Sequence, residues 1–124
     1  MSEDSQIREV IQTYFECMFE SSAEKAHLAF HAHAKITGFT PAGLVEMSVN
    51  DFAGFVASQP SGAELGQTPY LEILSLDIAG ETAIARVRDD YLQDRYLDTL
   101  SFLREGGRWS IYNKLFHIEG SAGG

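Results

Sequence analysis

The chain has 124 residues, 44% of them hydrophobic and 22% charged, with a formal net charge of −9. That length and balance suit one globular domain spanning 1–124, with a core that needs no disulfide or metal, and the acidity argues against nucleic acid and anionic membrane surfaces as partners. Cys17 is the only cysteine and excludes an internal disulfide; with no long apolar run and a polar start, the expected compartment is a reducing cytoplasm.

Ile7, Val10, Ile11, Tyr14, Phe15, Met18 and Phe19 recur at helical spacing and predict an amphipathic first helix, with Ser2, Asp4 and Ser5 as candidate caps. Ser21 to Glu24 reads as a capping box that opens a short second helix, from Ala23 to about Phe30. Lys35 to Phe39 is a short strand candidate, and Pro41 and Gly43 mark a loop. Ser48 to Asp51 is a second capping box, leading a helix to about Ser58 with Val49, Phe52, Phe55 and Val56 on its apolar stripe. The stretch from Gln59 to Thr68 is the longest loop and a candidate lid.

Beyond Pro69 the pattern changes to four strands: Tyr70–Ile78, Thr82–Tyr91, Arg95–Arg104 and Trp109–Ile118. Short turns join them, so neighbours run antiparallel. Gly120 to Gly124 reads as a frayed tail. Helices before strands predict an α+β fold, with the helices packed on one face of a mostly antiparallel sheet.

Certain residues carry a family resemblance. Asp98 to Ile111 resembles the strand–turn–Trp-x-Ile hairpin of the nuclear transport factor 2-like superfamily. Asn113-Lys114-Leu115-Phe116 resembles the ending of the subgroup called "putative lumazine-binding", which we group with SnoaL-like domains, and Phe30-His31 before Ala34 and Tyr14 in the first helix match as well. The resemblance implies a curved sheet wrapped around three helices as a cone, in a superfamily that holds isomerases, cyclases, hydrolases and non-enzymatic binding domains. It also implies a homodimer formed through the outer sheet face.

A two-residue turn at Gly106-Gly107 sets the register of the last hairpin. Phe102 then opposes Ile111, Leu100 opposes Asn113, Asp98 opposes Leu115 and Tyr96 opposes His117. Period-two alternation puts Asp98, Asn113 and His117 on the apolar face under the helices, and Lys114 and Phe116 on the other. A bulge would reverse this for the polar set.

Asp98 is the first candidate acid or base, because an apolar cone raises a carboxyl pKa toward neutrality; the alternative is an ion pair with Arg86 or Arg88. His31 is a candidate base or donor, against the alternative of a histidine satisfied at a helix end. Tyr14 is a candidate donor to a ligand carbonyl, against a plain core tyrosine. Steroid isomerases of the superfamily pair a first-helix tyrosine with a later-strand carboxylic acid, which Tyr14 and Asp98 resemble. Those enzymes also use a first-strand carboxylate, which Ile36 to Phe39 does not supply. Phe15, Met18, Phe30, Phe52, Phe55, Trp109, Asn113 and His117 are the candidate ligand-binding residues. No cofactor or metal is expected: there is no phosphate loop, nucleophile elbow or zinc motif. The readings are a domain binding a small apolar or aromatic molecule, with or without catalysis; a cofactor-free isomerase, cyclase or hydrolase using Asp98 with His31 or Tyr14; and a dimeric protein-interaction module.

Overall fold

The computed structural model describes residues 2–123. Its elements in chain order are α1 (Glu3–Phe19), α2 (Ala23–Ala29), β1 (Phe30–Thr40), β2 (Gly43–Ser48), α3 (Val49–Ser58), β3 (Leu71–Ala79), β4 (Thr82–Tyr91), β5 (Asp94–Glu105) and β6 (Arg108–Ser121). Ser2 caps α1 and Ser48 with Asp51 closes a full capping box on α3. The box expected at Ser21 to Glu24 is displaced by one residue: Ser22 caps α2, while Ser21 takes a left-handed backbone at φ 57° to turn between the two helices.

The strands form one sheet in the order β2-β1-β6-β5-β4-β3. All pairings are antiparallel except β1 with β6. The three helices pack on one face, α1 against β3, β4 and β6 and α3 against β1 and β2. This is the α+β arrangement of helices on a curved, mostly antiparallel sheet. Ile7, Ile11, Tyr14, Ile36, Val56, Val87, Leu100, Phe102 and Ile111 are its most buried side chains.

Three local expectations change. The first strand begins at Phe30 and hairpins into β2, where the sequence suggested a loop; Val45 and Met47 are half-buried while Leu44 and Glu46 are exposed, a two-residue alternation too short to stand out in sequence. The tail is paired: Ala122 N–H donates to Gln93 O at 2.9 Å and Gly123 N–H to Asp90 Oδ2 at 3.1 Å, while Gly124 lies outside the described residues.

The third change is decisive for the site. The register from Arg104↔Trp109 to Phe102↔Ile111 is as expected, but it shifts between Phe102 and Ser101, so that Ser101 pairs with Asn113 and Asp98 with Phe116. Tyr112 is the extra residue. A sheet that must curve around helices accommodates such bulges, and one of them inverts the faces of everything beyond it. Lys114 and Phe116 therefore turn inward, whereas Asn113, Leu115 and His117 are exposed on the outer face.

Candidate functional site

The inner face of β4, β5 and β6 carries three ionisable groups in a diagonal row. Asp98 pairs with Val87 on one side and Phe116 on the other, which makes Asp89 and Lys114 its diagonal neighbours. Asp89 and Asp98 are 0% exposed and Lys114 is 5% exposed. Asp89 follows Ala83, Ala85 and Val87 at period two, the signal in the sequence that marks its inward position although it is not among the candidates above.

Asp98 is anchored from α1. The Tyr14 hydroxyl, also fully buried, donates to Asp98 Oδ2 at 2.5 Å. No arginine competes: Arg86 points outward, and Arg88 binds Glu119 bidentately at 2.7 and 3.2 Å. Asp98 Oδ1 and both carboxyl oxygens of Asp89 meet no donor from any other residue, and the two carboxyls lie within hydrogen-bonding reach of each other. Burial, and then the neighbouring Asp98 charge, push the Asp89 carboxyl well above the ordinary carboxylate range, so this site favours its protonated form. Burial first, then the charges of Asp89 and Asp98, raise the Tyr14 phenol well above its usual value, which keeps it a donor.

Above this row opens an apolar cavity of about 270 Å³. Met18 and Phe52 line it from α1 and α3, Val45 and Met47 from β2, and Tyr96 and Phe116 from β5 and β6. Ile36, Thr40, Phe55 and Tyr91 complete the wall, and Lys114 is its cation. The Lys114 Nζ stands 4.7 Å from the Tyr14 ring centroid, 4.8 Å from that of Phe52 and 3.9 Å from Met18 Sδ. Tyr14, Asp89 and Asp98 do not line the cavity; they lie sealed behind Lys114.

The structure thus separates the residues singled out from the sequence. Met18, Phe52 and Phe55 line the cavity. Phe30 is one layer back, edge-on to both Tyr14 and Phe52, and Phe15 stacks on Phe19 in the core. Trp109 is buried beneath the hairpin and borders a different hollow, between α1 and that hairpin. Asn113 and His117 are excluded by the bulge. His31 also lies elsewhere, its Nε2 3.1 Å from Glu105 Oε1 and its ring against Tyr112. The stretch from Gln59 to Thr68 is no lid on this cavity: Gly62 seats on the Phe19 ring, and none of the segment's residues line the wall. Strict alternation from the turn places Lys114 on the outer face, and only the bulge brings it in. Among the described residues no group of three or more His, Cys, Asp or Glu side chains could hold a metal ion, and no helix is long and apolar enough to cross a membrane.

With this geometry in place, the comparisons with known proteins fall into order. The profile of the family described as "Putative lumazine-binding" matches residues 2–117. Among solved structures, an NTF-2 like protein of unknown function from Silicibacter pomeroyi superposes with a TM-score of 0.87 at 23% identity, over 96% of this chain and 100% of that one. An NTF2-like protein of unknown function from Methylobacillus flagellatus gives 0.84 at 27% identity, over 97% and 96%. A domain with a cystatin-like fold from Nostoc punctiforme gives 0.73 at 15% identity, over 94% and 77%. Among curated proteins, the chain is 23% identical over 104 residues to "Aldolase FrzH" of Cladobotryum sp, covering 84% of this chain and 82% of that protein.

Proposed function

The chain belongs to the family described as "Putative lumazine-binding", with the nuclear transport factor 2-like fold, and from that premise we propose that it is a single-domain binder of a small apolar or aromatic molecule. The observation that carries this is the cavity itself: about 270 Å³, walled by thioether, aliphatic and aromatic groups, with one buried cation in its wall. Few polar groups on an otherwise apolar concave surface are the usual composition of a small-molecule site, and the volume suits one or two rings. The single cysteine, buried at Cys17, is consistent with a cytoplasmic setting.

The test is a thermal-shift screen with pterins, flavins and small aromatic carbonyl compounds. A binder raises the melting temperature in proportion to its concentration over its Kd. Val45→Trp, which fills the cavity from β2, abolishes the shift. No shift across this chemistry removes the binding reading and favours a protein-interaction module.

One observation favours a second reading, that of an enzyme. The Tyr14–Asp98 pair beside Asp89, whose carboxyl burial pushes upward, is a buried proton-holding unit of the kind that perturbed carboxyls form in active sites, and the similarity to an aldolase is in keeping with carbon–carbon bond chemistry. In this reading Asp98 and Tyr14 act through Lys114, and His31 takes no part. Solvent-deuterium exchange at the α-carbon of a bound ketone, followed by NMR, decides it: catalysed exchange supports the enzyme, and exchange at the uncatalysed rate leaves a binder.

A further inference from the structure

The chain has three lysines. Lys25 pairs with Glu16 and Glu20, and Lys35 lies near Glu46. Lys114 is different in kind. It is buried, lines the cavity, and has no carboxylate within ion-pair distance among the described residues. Its neighbours are a thioether and the faces of Tyr14, Phe52 and Phe116. An ammonium carries three donors, and ring faces and sulfur attract its charge without replacing the oxygen acceptors that water provides. The cavity therefore presents a charged donor set that lacks an oxygen partner.

Resting on the binding reading above, we infer that Lys114 recognises and polarises the carbonyl oxygen of a planar ligand of one or two rings. Two features select a carbonyl. The remaining wall is mostly apolar or aromatic, with hydroxyls only at Thr40, Tyr91 and Tyr96, so it chiefly receives ring faces and Lys114 is its one charged donor. Behind Lys114 stands the Asp98 carboxylate, whose negative potential disfavours a ligand that arrives as a full anion but leaves a neutral carbonyl dipole free to point its oxygen at the ammonium. Negative charge that develops on that oxygen, as when a proton leaves the adjacent carbon, would fall on a preorganised cation in a water-poor site. Tyr14, whose ring faces the ammonium and whose hydroxyl is fixed by Asp98, is then a positioning residue, and neither it nor Asp98 touches the ligand.

The experiment uses the full chain, 15N-labelled at lysine, with 1-indanone and its carbonyl-free counterpart indane. Saturating 1-indanone moves the Lys114 Nζ resonance and leaves those of Lys25 and Lys35 in place, whereas indane moves none. Lys114→Met weakens 1-indanone binding about tenfold or more, the loss expected for a hydrogen bond to a charged group, and changes indane binding by less than about twofold. The variant replaces a buried charge with an apolar chain, so a thermal melt at least as high as wild type checks that it folds. Equal binding of the two probes by wild type and variant overturns the role of Lys114 while leaving the pocket standing. Failure of both probes to bind wild type overturns both readings.

Discussion

The Tyr14 hydroxyl and the Asp98 carboxylate, 84 residues apart in sequence, meet in a 2.5 Å hydrogen bond at the centre of the protein. This contact ties the buried face of α1 to the inner face of β5. Tyr14→Phe leaves Asp98 Oδ2 without a partner in a site that excludes water. The expected cost is about 1–3 kcal/mol, read from the urea midpoint at neutral pH with an unchanged m-value.

Asp89 makes stability depend on pH in a definite direction. Its carboxyl is held above the ordinary range by burial and by Asp98. Below the unfolded-state value, about 4, it is protonated in both states and contributes no slope. As pH rises above that value the unfolded chain releases the proton and the folded protein keeps it, so stability falls until the folded-state pKa is reached. Asp89→Asn removes this term. Its stability relative to wild type therefore improves with pH above about 4, at up to roughly 1.4 kcal/mol per unit, and denaturant titrations at several pH values measure the difference. A wild type and variant that run parallel in pH would show that the Asp89 carboxyl is not held protonated.

Gly38 governs how closely β1 approaches the cavity wall. A Cβ there would lie 2.5 Å from Phe116 O and 2.6 Å from its ring, across the parallel pairing of Gly38 with Phe116. Gly38→Ala displaces the aromatic that walls the cavity beside Lys114. It should cost about 1–3 kcal/mol as an overpacked site and weaken any ligand found by thermal shift.

Cys17 reports on global opening. It is fully buried, and burial pushes its thiol pKa up to about 12. In the native state it should resist iodoacetamide at pH 8 and react at a rate set by unfolding, which rises with urea in step with the loss of stability. Rapid native-state alkylation would mean that α1 opens locally.

The outer sheet face carries half-buried Leu97, Thr99 and Leu103 beside exposed Ile84 and Leu115, the last 56% exposed. We expect this patch to form a homodimer by burying against a second copy. Leu115→Glu, placed on the face that the bulge turns outward, should convert dimer to monomer in light scattering after gel filtration. A wild type that is monomeric at micromolar concentration would remove the expectation.

Much of the architecture was legible because local rules produce it. The helical spacing from Ile7 to Phe19, the Ser48–Asp51 box and the alternation of Ala83, Ala85 and Val87 depend on neighbours in sequence, and α1, α3 and β4 form where those signals stand. Asp98 was readable as inward for the same reason, and Asp89 would have been, since it continues the β4 alternation. What the chain order alone could not decide was which face of β6 carries which side chain. That depends on a single extra residue, Tyr112, whose bulge no local signal announces. On that residue turns the composition of the site. Without it Asn113 and His117 would stand under the helices; with it Lys114 and Phe116 do, and a cation faces the cavity in their place.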